Sequence, residues 1–466
     1  MNYQKSLFIF RRDLRLEDNT GLIALLSQSK TVVPAFIFDD RQTQPNQNGY
    51  FSPPAFAFLL HSLAELDESL RALGSRLYVF SGNPEEIVKS LITNDQIEAV
   101  FVNKDYTPFS RRRDADLADL CEKQQVAFKA YADIALSPLE DIRTGSDALY
   151  SVFTPFKNKA QSYAVPLPQK NSFSNYYSGE IQSKTISLSQ VSAAIGDRKL
   201  VLRGGRQEGL EILKKQHYLK NYKELRDFPA VQGTSRLSAH HKFGTISIRE
   251  SYQVAAEYGL GSQYVSELYW RDFYYYIAYH FPHVFQTSFL PWAEYLEWAN
   301  KKDHFEAWCA GKTGVPIVDA AMRELNHTGW MHNRARMIVA SYLTKNLLIH
   351  WQWGEKYFAQ NLIDYDPAQN NGGWQWSAST GADPRPLRIF NPYIQAQKFA
   401  PQAEYIKQWV PELRELDVKI LTNGKEEDFS AYSPHYPAPL VDQKETYHRT
   451  MNVYKNAKKE WAAKGF

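Results

Sequence analysis

Cysteine is nearly absent. Only Cys121 and Cys309 occur in 466 residues, which excludes a disulfide framework, offers no metal-ligand spacing and suits a reducing compartment. Long apolar runs are missing as well. No stretch approaches the roughly 18 residues of a membrane span, and the run after Met1 is too short for a secretion signal. A soluble, cytoplasmic protein without metal or membrane contact is expected. Charge of one sign is also lacking: the formal net charge is +3, so any nucleic-acid surface has to be a local patch. Finally, no G-x-G-x-x-G follows the first strand-like segment, so the residues themselves indicate no nucleotide on the N-terminal part.

Aromatic side chains, by contrast, are abundant. They make up 14% of the chain, with 11 Trp and 29 Tyr. Core packing accounts for some of them; stacking on a flat cofactor or on bases is the sharper reading. The length predicts two domains. Strands are predicted over 6–10, 32–38, 76–80 and 99–103, separated by helices over 21–27, 54–73, 84–91 and 110–124. That alternation means βαβ units and a parallel sheet in residues 1–131. Residues 132–200 dissolve into Pro, Ser and Asn (VPLPQKNSFSNYYSGE) and read as an interdomain connector. Residues 201–466 are helical in period, and SQYVSELYWRDFYYYIAYH predicts a buried all-α core.

Several side chains share predicted helix faces. Glu267, Trp270 and Arg271 fall at i, i+3 and i+4, as do Asn333, Arg336 and Met337; Asp366, Asn370 and Trp374 follow i+4 steps. A core helix with a salt bridge would explain any one of these sets. Thr234-Ser235-Arg236-Leu237-Ser238 offers hydroxyls, backbone N–H groups and a guanidinium, the equipment for a pyrophosphate or for an ordinary helix cap.

Four segments carry a resemblance: GTSRLSAHHKFGTIS, ELYWRDFYY, KTGVPIVDAAMRELNHTGWMHNRARM and LIDYDPAQNNGGWQWSASTG, with FRRDLRLEDNTGL near the start. Together they resemble the photolyase/cryptochrome family, most closely its class I branch, which repairs cyclobutane pyrimidine dimers. The resemblance implies a Rossmann-like parallel five-stranded α/β domain joined to an all-α FAD-binding domain, acting as a monomer. It implies light-dependent repair by electron transfer from reduced FAD to a flipped-out dimer in single- or double-stranded DNA, in a prokaryote associated with the nucleoid. Tyr222, Thr234, Ser235, Arg236, Leu237, Ser238, Arg271, Asn333, Arg336, Asp364, Tyr365, Asp366 and Asn370 match flavin-site positions. Glu267, Trp270, Asn333, Arg334, Met337, Trp376 and Gln395 match lesion or DNA contacts, with Glu267 as hydrogen-bond acceptor and Trp270 as stacking platform. Asn370 would face flavin N5, where plant-type cryptochromes typically carry Asp. Trp374, Trp351 and Trp298 match a chain that reduces the flavin from outside; three core tryptophans are the plain alternative. A cryptochrome-like blue-light photoreceptor is the competing function.

The chain departs from the family in two places. Phe109-Ser110 and Phe285-Gln286 stand where folate-binding relatives carry their clamp, so a folate antenna is not expected. Asp105 and Lys242 instead resemble deazaflavin-binding relatives, with Phe38 and Asp39 lining the same crevice; an interdomain salt bridge is the other reading of Asp105 and Lys242. The loop 382–388 is one residue shorter than usual and lacks its aromatic pair.

Overall fold

The computed structural model describes residues 2–193, 200–384 and 386–465; residues 194–199 of the expected connector and Arg385 of the 382–388 loop lie outside the described residues. Five parallel strands form one sheet in the order β3-β2-β1-β4-β5. They are β1 (Tyr3–Phe10), β2 (Ser29–Phe38), β3 (Tyr78–Ser81), β4 (Ala99–Asn103) and β5 (Ala127–Tyr131). The central strands are buried on both faces, as their near-continuous apolar runs require. β5, AFKAY, is a half-buried edge strand whose weak alternation gave no sequence signal. β3 begins later than expected because Ser75 and Leu77 are tied to the preceding helix: Ser75 N–H donates to Leu70 O at 3.0 Å and Leu77 N–H to Asp67 Oδ1 at 2.7 Å. The Pro108–Lys123 helix begins earlier than expected, with Thr107 as its cap and Pro108 in its first turn.

The described part of the connector is anchored to both halves. Tyr177 N–H donates to Val32 O at 2.7 Å, and Val32 N–H to Asn175 O at 2.9 Å, so the segment returns to the sheet. It also contributes the Phe153–Ala160 helix, which packs on the Gly261–His280 helix.

A buried ionic latch joins the sheet half to the helical half. Asp133 accepts from Arg15 Nη2 at 2.6 Å and from Arg249 Nη2 at 2.8 Å, while Arg249 Nε also reaches Asp18 at 2.9 Å. Both arginines hold the Asp133 carboxyl far below the usual carboxylate range against its burial. Arg15 Nη1 donates to Gly244 O at 3.0 Å, and Leu14 N–H to Phe243 O at 3.0 Å. Gly244 has φ +66, and a Cβ there would strike the Arg12 carbonyl, so only glycine lets the two halves approach this closely.

In the helical half, the Gly261–His280 helix buries Tyr264, Leu268, Tyr269, Phe273, Tyr275 and Tyr276. The helices Asn333–Ser341, Trp351–Asn361 and Pro367–Ala378 enclose a second core centred on Trp308. Gly354 leaves room for the Trp374 ring, which a Cβ there would overlap. No helix among the described residues is long and apolar enough to cross a membrane.

Asp133→Asn preserves shape but leaves two buried guanidinium groups facing an amide. It should cost about 3–5 kcal/mol of unfolding free energy, read by denaturant titration; a loss below about 1 kcal/mol would show that the latch is dispensable.

Candidate functional site

A cavity of about 510 Å³ opens into the helical half, within the size range of sites for organic cofactors. Its wall gathers the helix faces marked in the sequence. Glu267, Trp270 and Arg271 line it from one helix, Asn333, Arg336 and Met337 from a second, and Asn370, Trp374 and Trp376 from a third, with Asp364, Tyr365 and Asp366 at the approach to that third helix. Tyr222, Ser235 and Ser238 complete one side.

The polar groups are held by their neighbours. Arg336 Nη2 grips both oxygens of Asp364, at 3.1 and 2.9 Å. Asp366 caps its helix through Ala368 N–H at 3.0 Å and accepts from Tyr275 OH at 2.5 Å. It is also paired with Arg12, whose other amino group reaches Asp105 at 3.2 Å. Arg12 and its cationic neighbours hold Asp366 below the ordinary carboxylate range although burial opposes this. Arg271 donates to the carbonyls of Ile134 and His241, which fixes its guanidinium beside the Tyr275 ring.

Asn370 spends its amide N–H groups on Glu355, donating to the backbone carbonyl at 2.9 Å and to Oε1 at 3.1 Å. That fixes the side-chain orientation and leaves Oδ1 to accept from a donor in the cavity. Burial pushes the Glu355 carboxyl up to about 7. At the outer rim, Glu267 Oε1 accepts from Arg226 and from Gln263 Nε2 at 2.7 Å. Trp270 is stacked on Phe153 with ring centroids 3.7 Å apart, so the connector helix braces the indole that lines the cavity.

Other expected site residues lie elsewhere. Thr234, Arg236 and Leu237 are not on the wall. Leu237 is buried in a small cluster with Leu213 and Ile246, Arg236 covers the face of Trp330, and Thr234 contributes its carbonyl to Tyr218 OH. Of the T-S-R-L-S segment, Ser235 and Ser238 line the cavity. Arg334 points along the rim to Asp227 at 2.7 Å, and Gln395 lies in the Pro392–Phe399 helix away from the cavity wall. Trp298 meets the ring of His350 at 5.2 Å, and His350 stacks on Trp351 at 5.7 Å. Trp374 packs against Gly354, in the same helix as Trp351, with Trp308 and Phe358 as its ring neighbours. The His350 ring thus contacts both Trp298 and Trp351.

A second cavity, about 500 Å³, opens at the carboxyl ends of the strands, where open parallel sheets bind ligands. Arg11, Asp39, Asp105 and Phe109 line it, and Lys242 and Tyr365 face both cavities. Phe38 does not line it; its ring is buried against Phe36 and Phe56, which lie between it and the cavity side, and Phe36 and Ile37 take the wall. Asp105 pairs with Arg12, so the expected choice between a ligand contact and an Asp105–Lys242 bridge resolves into neither alone.

Sequence reading missed Arg226, Glu355, Phe153 and Arg12. The first lay in plain view as R-D-F just before the G-T-S-R-L-S segment; the other three act across more than a hundred residues or through a helix of unremarked polarity.

The wall suits FAD. It pairs two serine hydroxyls and an Arg–carboxylate clamp with aromatic faces, and Gln369 Oε1, Trp374 Nε1 and Trp376 Nε1 are buried without a partner among the described residues. Glu355→Gln tests the electrostatics of this wall. Because the folded carboxyl titrates near 7 and the unfolded one near 4.5, wild-type stability falls as pH rises between those values. The variant should match wild type at pH 4 and exceed it by up to about 3 kcal/mol above pH 7, measured by denaturant titration; a constant difference across pH would contradict the assignment.

Residues 264–456 match the family model for the FAD binding domain of DNA photolyase, and residues 6–171 that for DNA photolyase. The deoxyribodipyrimidine photo-lyase of Synechococcus sp. is 39% identical, covering 94% of this chain and 93% of that protein. An archaeal photolyase from Sulfolobus tokodaii, solved with two FAD molecules, is 41% identical with a TM-score of 0.88, covering 97% of this chain and 100% of its own. A bacterial class III photolyase from Agrobacterium tumefaciens is 32% identical with a TM-score of 0.89, over 98% of both chains. Both domains, and the wall that joins them, place this chain in the DNA photolyase family.

Proposed function

We propose that the protein is a class I photolyase, which restores cyclobutane pyrimidine dimers in DNA under light. The observation that carries this reading is a single cavity whose lining holds both halves of the machinery. Ser235, Ser238, Arg336, Asp364, Asp366 and Asn370 fit a flavin, and Glu267, Trp270, Asn333, Met337 and Trp376 fit a flipped base pair. The family model and the relatives support FAD as the cofactor. When bound in reduced form, FAD would supply the photo-excited electron that opens the cyclobutane ring and then returns.

The chain's own residues do the rest. The Arg336–Asp364 pair and Ser235 and Ser238 would hold the cofactor's polar arm. Asn370, its N–H groups engaged by Glu355, would present Oδ1 to a ring N–H. Trp270, braced by Phe153, would replace the stacking that a dimer loses on leaving the duplex, worth about 1–3 kcal/mol per base. Glu267 would accept from the pyrimidine imide, and Arg226 beside it offsets its charge as electron density arrives on the lesion. Trp298, Trp351 and Trp374 would carry electrons inward from the surface, with the His350 ring between the first two. Class I rests on the sequence motifs and on Asn370; the similarity to a class III fold supports the family and not the class. A monomer acting on single- or double-stranded DNA completes the reading. A photoreceptor, the competing function, has no need of the lesion half of the wall.

The second cavity is proposed to seat an antenna. Its aromatic and arginine lining, and the missing folate clamp at Phe109-Ser110 and Phe285-Gln286, favour a flat tricycle: a deazaflavin, or a second flavin as in the archaeal relative.

Purified, chemically reduced protein should restore a thymine-dimer oligonucleotide under near-UV or blue light and leave it intact in the dark. Repair in the dark, or none in the light, would sink the assignment. Trp270→Ala should weaken dimer binding about ten- to a hundredfold, measured by fluorescence anisotropy. Acid extraction followed by chromatography and mass analysis should yield FAD plus a tricyclic chromophore; recovery of a folate would overturn the antenna proposal.

A further inference from the structure

Two arginines stand at the rim of the cavity in the helical half, where the proposed reading brings the DNA backbone. Both are already occupied. Asp227 Oδ1 accepts from Arg334 Nη2 at 2.7 Å and lies 3.8 Å from Arg226 Nε, while Arg226 is paired through its other arm with Glu267. The four formal charges cancel, so this cluster offers a phosphate no net positive charge. Arg334 is also packed flat on Phe399, 4.2 Å from the ring centroid, and its Nε is buried without a partner among the described residues. That guanidinium is largely enclosed, with 15% of its side chain exposed, whereas Asp227 is the most open member at 32%.

An anion whose oxygen is shared by two guanidinium groups is what a phosphodiester would be at the same place. We propose that Asp227 is an internal stand-in for a DNA phosphate: it holds Arg226 and Arg334 in binding geometry and is displaced when the backbone arrives. The inference rests on the reading that DNA docks over this cavity. Its physical content is a competition. An enclosed guanidinium without a partner is costly, so free protein is stabilised by Asp227 and DNA has to replace that contact rather than find a bare cation. As a phosphate leaves, Asp227 returns to Arg334, and departure strands no buried charge. Binding therefore depends less on backbone charge and more on the flipped base, and release is quick.

The opposite role is equally concrete. If Asp227 only props Arg334 in place, its removal should weaken DNA binding. The two readings differ in sign, which makes the test decisive.

The probes are a fluorescein-labelled duplex with one thymine dimer and the same duplex undamaged, mixed in the dark with holoprotein over a salt series. Asp227→Asn should bind both duplexes about fivefold more tightly, the effect of removing one half-exposed competing charge. The gain should come mainly from slower dissociation, and the slope of log affinity against log salt should steepen by about one. In an Arg334→Ala background the same substitution should gain clearly less, because only the longer contact to Arg226 is then released. Unchanged or weaker binding by Asp227→Asn overturns the proposal, and so does a gain that Arg334→Ala leaves undiminished, because the charge would then act elsewhere. The melting transition and flavin absorption band report whether the variants fold. Wild type that ignores the dimer would overturn the repair reading and this inference together; wild type that prefers it, with Asp227→Asn unimproved, overturns this inference alone.

Discussion

Arg12 is the contact on which the arrangement of the molecule depends. It leaves the loop after β1, crosses from the sheet half into the helical half, and meets Asp105 on one side and Asp366 and Tyr275 on the other. Its Nε also donates to the Lys242 carbonyl at 3.1 Å. The guanidinium is thus the partition between the two cavities: Asp105 borders one, Asp366 the other, and Lys242 and Tyr365 touch both. A cation this enclosed is tolerable only with its carboxylates in place. Those carboxylates come from distant parts of the chain, so the cavities cannot form independently of the domain contact. The Asp133 latch and the Gly244 approach secure the same junction from behind.

That junction also sets the electrostatics. Burial and the neighbouring Arg12 depress the Lys242 ammonium to about 8, although Asp366 and Asp105 oppose this. Across the cavity, Glu355 is pushed up to about 7, so a neutral or half-neutral carboxyl backs Asn370. Fixed dipoles and paired charges surround a low-dielectric space, where each acts more strongly than in water and needs no rearrangement as charge moves. The stage suits a reaction in which an electron makes a short return trip and no protein nucleophile or metal is called upon.

How far the sequence could be read follows from the range of each interaction. Helix periodicity is local, so Glu267, Trp270 and Arg271 were rightly placed on one face, as were Asn333, Arg336 and Met337; all six line the cavity. The first four strands were legible because burial leaves continuous apolar runs, even in the edge strand β3, while the half-exposed edge strand β5 left none. The resemblance named the flavin loop, yet backbone geometry divides it: Arg236 adopts φ +55, which turns its side chain out and Leu237 in. Phe38 was misplaced because the rings of Phe36 and Phe56 cover it. Arg12, Phe153 and Glu355 were invisible because their partners lie 354, 117 and 15 residues away in the chain, joined only by the fold.

The central claim is one of distance: a lesion held in the upper part of the larger cavity must touch a cofactor at its floor. Fluorescence of the bound, reduced flavin measures this directly, because electron transfer to a neighbour in van der Waals contact shortens the excited-state lifetime. Saturating the protein with a thymine-dimer oligonucleotide should shorten that lifetime severalfold, while the undamaged oligonucleotide should leave it unchanged. A lifetime indifferent to the dimer at full occupancy would place lesion and cofactor apart and contradict the account.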